Sequence, residues 1–217
     1  MDSVLKFLNE LAANNNREWF QANKKWYEES REKVLFLTDV LINEIGQFDG
    51  EVKGLQPKDC MFRIFRDVRF SHDKRPYKTN FGSFICKGGR KSMNPGYYFH
   101  IEPTGCFMAG GIYMPPAEPL RTIRTYLADH AEEFLEITGA PDFKKEFPAM
   151  YDDQLKTAPK GFPKDHQYID LLKYKSFIYS KDMAPSLVSN EKYVETMVDG
   201  FNTLYPLNRF LYEALSQ

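Results

Sequence analysis

The side chains best suited to chemistry crowd into one stretch, FRIFRDVRFSHDKRPYKTNF, residues 62–81, where six of twenty positions are Arg or Lys. Arginine offers a planar fork that meets phosphate or carboxylate with two parallel hydrogen bonds, and lysine adds a point charge. Arg63, Arg66, Arg69, Lys74 and Lys78 are therefore candidate anion binders, with Tyr77 and Lys74 held in place by the Pro76 turn. Proton carriers sit close in sequence. Asp67 and Asp73 lie inside the stretch, and the segment YYFHIEP supplies His100, with Tyr98 two residues earlier. Histidine changes charge near neutral pH, which makes His100 the natural proton carrier. The chemistry implied is capture of a small phosphate- or carboxylate-bearing anion, by a simple binder or by an enzyme acting on it.

The charge distribution points the same way. The net charge is −1, yet residues 58–91 hold ten Lys/Arg against three Asp/Glu, while the rest of the chain holds 19 against 27. Positive charge confined to one segment of an otherwise acidic protein fits a local anion site better than a surface that tracks a polyanion. Two alternatives use the same residues. In one, the basic segment and its tyrosines form a nucleic-acid module; a sequence pI near 6.4 argues against it. In the other, the arginines form a structural ion-pair network in a non-catalytic interaction protein.

Other chemistries lack their residues. No GxSxG, phosphate-loop or dinucleotide fingerprint is present, and the cofactor, if the chemistry uses one, is unknown from the sequence. The glycine-rich KGGRKSMNPG is a hairpin loop, and PKGFPKDH is a proline-bounded surface loop. The four histidines are widely spaced and no CxxC occurs, which argues against a zinc site. Three cysteines, an odd number, fit buried apolar thiols in a reduced, cytoplasmic compartment. No signal peptide and no membrane span is expected.

The elements that must position these residues read as α+β, one globular domain over residues 1–217. With 42% apolar residues a chain this long folds without disulfides or metal. Ser3 is placed to cap a first helix, and Asn15 with Glu18 forms a capping-box pattern before a long N-terminal helix reaching about residue 47. Alternation over residues 62–70 predicts a strand with Arg63, Asp67 and Arg69 on one face and Arg66 among the aliphatics on the other. KTNFGSFIC, GYYFHIEP, CFMAGGIYM and SFIYS bring the mainly antiparallel sheet to about five strands. On YYFHIEP, Tyr98, His100 and Glu102 share one face. Flanking helices follow from Pro119 to Gly139, around QYIDLLKYK, from about 190 to 204, and from Pro206 onward.

Four segments together, NNNREWF, FRIFRDVRFSHDKRPYKTNF, PGYYFHIEP and LKTAPKGFPKDH, resemble the domain of unknown function 2461 family, uncharacterised proteins of bacteria and fungi. The resemblance spans nearly the whole chain and implies one domain without assigning chemistry. It implies that Asn15, Arg17, Trp19, Phe20, Arg63, Arg66, Asp67, Arg69, Phe70, Ser71, Asp73, Lys74, Pro76, Tyr77 and Lys78 belong to a shared signature, from which His72 and Arg75 depart.

Overall fold

Apolar residues three and four apart decide which helix faces are buried. Val4, Phe7, Leu8 and Leu11 line one side of α1 (Asp2–Ala13). Val34, Leu37, Leu41, Ile42 and Ile45 do the same for α3 (Lys24–Ile45), which follows the short α2 (Arg17–Ala22). A computed structural model describes residues 1–217. In it these helices and the C-terminal α9 (Tyr193–Leu215) pack on one face of a four-stranded antiparallel sheet. The strands β1 (Phe81–Cys86), β2 (Gly96–Ile101), β3 (Cys106–Ile112) and β4 (Phe177–Met183) lie side by side in chain order. Between α3 and β1 runs α4 (Pro57–Cys60); between β3 and β4 come α5 (Ala117–Asp129), α6 (Ala131–Gly139), α7 (Pro141–Glu146) and α8 (Ile169–Leu172).

Strand alternation splits the sheet into two unlike faces. The inner face carries Phe81, Tyr97, Phe99 and Met108, all essentially inaccessible. Phe81 meets Phe7 of α1 at 6.3 Å, and Tyr97 meets Phe201 of α9 at 5.3 Å between ring centroids. Where polar groups enter this layer they pair: Ser83 of β1 shares a 2.9 Å hydrogen bond with Thr38 of α3. The outer face has no helix on it. Tyr98, His100 and Phe107 lie there half-buried, and Ser180 is exposed.

Several expectations are corrected. Residues 62–70 are not a strand, so the sheet has four strands rather than five. Local turn chemistry overrides the alternation. Asp67 and Asp73 each accept the backbone N–H of the residue two places on, Arg69 and Arg75, which bends the chain where a strand would continue. What remains is a loose hairpin held by two isolated bridges, Met61 with Ser83 and Phe65 with Tyr77. Burial still alternates from Arg63 to Arg69, with Ile64, Arg66 and Val68 shielded and Arg63, Phe65, Asp67 and Arg69 exposed, but the pattern ends at Phe70. Ile64 is buried, while Phe70 is 95% exposed.

The long N-terminal helix is broken at Asn23, and its cap is Asn16, whose side chain accepts from Trp19 N–H at 2.9 Å. Asn15 is engaged elsewhere: its amide brackets the Tyr77 backbone, donating to O at 3.0 Å and accepting from N at 3.1 Å. Ser3 lies inside α1 rather than capping it. The helix expected over 119–139 starts at Ala117 and breaks at His130. In contrast, α9 runs through Pro206 as one helix. The lost hydrogen bond and the ring clash cost about 3 kcal/mol. Leu204, Leu207, Phe210 and Leu211, all buried on both sides of the proline, hold the two halves in line.

All three cysteines are buried and free. Burial pushes the Cys60 thiol up to about 12 and the Cys86 thiol up to about 11, so both stay protonated and pack as small apolar groups. No helix is long and apolar enough to cross a membrane.

Candidate functional site

The outer face of β2 carries a continuous hydrogen-bonded chain. Tyr98 Oη lies 2.9 Å from His100 Nδ1, and His100 Nε2 lies 3.3 Å from Glu102 Oε2. The other carboxylate oxygen of Glu102 accepts from Thr79 Oγ1. Because the carboxylate only accepts, the imidazole proton sits on Nε2 and Nδ1 accepts from the phenol. Alternation puts Tyr98 and His100 on one face, and Glu102 follows directly where the strand ends.

Small and flat neighbours fix these side chains. His100 pairs across the ladder with Gly82 of β1 and Phe107 of β3. The Phe107 ring stacks on the imidazole at 4.7 Å and 16°. Tyr98 leans over Gly82, where a Cβ atom would stand 2.5 Å from its hydroxyl. Phe62 closes the other side, edge-on to Tyr98 at 6.1 Å. Gly82→Ala is therefore expected to push Tyr98 off His100 while leaving the backbone ladder intact. A His100 imidazole signal unchanged by that substitution, read by NMR, would contradict this packing.

Two cations border the chain. Lys78 is anchored through its backbone N–H to Ile64 O at 2.8 Å, and its ammonium sits 5.4 Å from the Phe62 ring centroid. Burial lowers the Lys78 pKa, and the charge of Arg63 lowers it further. Neither Lys78 nor Arg63 belongs to an ion pair, whereas every other cation of residues 62–77 but Lys74 does. Burial also lowers the His100 pKa; Glu102 opposes the shift and the Lys78 charge adds to it. Tyr98 is pushed up to about 12, first by burial and then by the Glu102 charge. At neutral pH the site thus holds a neutral imidazole and a neutral phenol beside Lys78, a cation without an ion-pair partner.

Of the residues singled out in the sequence, Tyr98 and His100 come together here, with Lys78 near enough for its charge to act on His100 and Arg63 near enough to act on Lys78. The hairpin tip holds five others, turned on one another. Arg66 donates to Asp73 at 2.6 Å and to Arg75 O at 3.3 Å, and Arg75 also meets Asp73, at 2.7 Å. Arg69 grips Asp67 with two bonds of 2.9 and 2.7 Å. Lys74 donates to Val68 O at 3.1 Å. Asp73 is held well below the usual carboxylate range and Asp67 is lowered too, each chiefly by the arginine two residues on, so both remain acceptors. Tyr77 lies in the core, 4% exposed, with its ring stacked on Phe20 at 3.9 Å.

Glu102, Thr79, Gly82, Phe62 and Phe107 complete the site. Glu102 shared the face of Tyr98 and His100 in the sequence pattern, so its position was readable. Thr79 and Phe107 carry no local signal, because Phe107 is brought there by the strand register and Thr79 by its bond to Glu102, 23 residues away. The site is an open patch on the sheet; cavities of about 490 and 370 Å³ lie elsewhere, along α9 and between α7 and α9.

No curated protein and no solved structure matches the chain. A family profile covers residues 3–210, which takes in the hairpin, all four strands and most of α9. The chain therefore belongs to the family described as conserved hypothetical protein (DUF2461).

Proposed function

We propose that the outer sheet face binds a small anion bearing phosphate or carboxylate, with Arg63 and Lys78 as its counter-charges and His100 as the group that moves protons. One observation carries the reading: Lys78 is partly buried, has no ion-pair partner and is disfavoured by the Arg63 charge, beside a histidine held between Tyr98 and Glu102. A charge partly removed from water without a partner is unfavourable, and an anionic guest would relieve it. His100 accepts at Nδ1, through the Tyr98 hydroxyl, and Glu102 stabilises the imidazolium that results. The hairpin arginines contribute rigidity, because Arg69 is engaged by Asp67 and both Arg66 and Arg75 are engaged by Asp73.

Titration of the protein with inorganic phosphate tests the proposal. Saturable binding is expected, with the His100 ring signals shifting in step. Arg63→Gln should weaken it about tenfold, the scale of one charge-assisted hydrogen bond. Arg69→Gln, at the paired tip, should leave it unchanged. Absence of saturable binding, or equal losses in both variants, would overturn the assignment.

A further inference from the structure

A cavity of about 490 Å³ runs along the C-terminal half of α9, remote from the sheet's outer face. Tyr205, Arg209, Tyr212 and Glu213 form one stripe of that helix along its wall; Tyr126 from the last turn of α5 and Asp49 stand opposite. Asp49 is the deepest charged group, 2% exposed. Its carboxylate accepts from the Tyr97 hydroxyl at 2.9 Å and from Glu51 N–H at 3.0 Å.

No cation answers that charge. Neighbouring cations are already committed, Lys87 to Glu51 at 2.7 Å and Arg209 to Glu213 at 3.0 Å. Both carboxylate oxygens accept from neutral donors only. Beside Tyr97 lies Asn208, fully buried, with its Nδ2 donating to Gly96 O at 3.2 Å and its Oδ1 without a partner. One buried acceptor beside Tyr97 is therefore left without a donor. The walls suit a cation as well. Tyr126 and Tyr212 are pushed above the ordinary phenol range, first by burial and then by carboxylates including Glu213 and Asp49, so they present neutral rings. Aromatic faces attract ammonium groups, more strongly where water is excluded.

We propose that this cavity binds an alkylammonium ligand, its charged head against Asp49 and its methylene chain along the tyrosine rings. The site is independent of the anion patch on the sheet, and either can fail without the other. The aromatic walls set it apart from a generic acidic surface, which would hold sodium as well as any organic cation.

Calorimetric titration of the full chain with butylammonium chloride at fixed ionic strength tests the idea, with sodium butyrate as the opposite-charge control. Saturable butylammonium binding without butyrate binding is expected. Asp49→Asn should weaken it about tenfold or more, the scale of a hydrogen bond to a charged group. Tyr205→Ala, a change at a half-buried position that spares the fold, should weaken it severalfold. Should Asp49→Asn fail to fold, NMR on the unaltered chain replaces it, with butylammonium-induced shifts expected to cluster at Tyr126, Tyr205 and Tyr212. No saturable binding at millimolar ligand, undiminished binding in Tyr205→Ala, or shifts centred elsewhere would overturn the proposal.

Discussion

Gly111→Ala is expected to cost more than about 4 kcal/mol or to prevent folding, the range reserved for gross steric conflict. Gly111 lies in β3 between Gly96 of β2 and Ile178 of β4, with φ at +115°. That conformation is open to glycine and costly for any residue with a Cβ atom. The steric problem is worse than the torsional one. An added Cβ would stand 1.9 Å from the carbonyl oxygen of Phe177. The obstacle is backbone in a paired strand, so no rotamer change relieves it. Relief would require β4 to pull away, taking with it the fully buried Phe177 ring and the ladder from Ile112 to Cys106. Gly105→Ala provides the control. Gly105 sits in the preceding turn with open space around the new methyl, and its substitution should stay within about 0.5 kcal/mol. Urea midpoints of the two variants decide the matter; a Gly111→Ala midpoint close to that of Gly105→Ala would show that β3 and β4 are not packed as described.

The same strands show why the sheet was legible and the hairpin was not. In β2 the alternation of Tyr97, Phe99 and Ile101 with Tyr98 and His100 reports a real division between helix-covered and open faces. Pattern and burial agree there because neighbours on both sides pin the register. Residues 62–70 alternate equally well, yet Asp67 and Asp73 draw backbone amides into local turns and Pro76 offers no N–H to a ladder. Competition between periodicity and turn chemistry went to the turns, because no partner strand was available beyond the Met61 and Phe65 bridges.

The cap displacement from Asn15 to Asn16 has a different origin. Both asparagines satisfy the local rule for a cap. The choice between them is made by Tyr77, 62 residues away, whose backbone takes up the Asn15 amide. The candidate site divides along the same line. Tyr98, His100 and Glu102 were readable because one strand delivers all three, whereas the separation of Arg63 and Lys78 from Arg66 and Arg69 depends on where the aspartates fold back. Ion pairs within the hairpin tip are exposed and contribute little to stability. Their effect is to tie up Arg66, Arg69 and Arg75, leaving Arg63, Lys74 and Lys78 outside any ion pair.

Lys78→Met is expected to move binding and stability in opposite directions. The ammonium sits over the Phe62 ring, so methionine puts an apolar group of similar length there and deletes the charge. Loss of a partly desolvated ammonium should weaken phosphate binding about tenfold to a hundredfold. Stability should rise, since the substitution removes a charge that the folded state disfavours. The pH dependence gives the sign. Burial and the Arg63 charge lower the Lys78 pKa in the folded chain below its ordinary 10.5, so the unfolded chain holds this proton more tightly. Stability contributed by this group is then present above pH 10.5, and is lost as pH falls through the lowered folded value. Lys78→Met should flatten that alkaline segment of the stability profile and lie above the native protein at neutral pH. Anion binding runs the other way, strengthening as pH falls and Lys78 takes up its proton; sulfate, whose charge is constant over this range, is the suitable probe. A destabilised Lys78→Met that still binds phosphate as the native chain does would mean that the ammonium is a structural group and that the guest, if there is one, sits elsewhere.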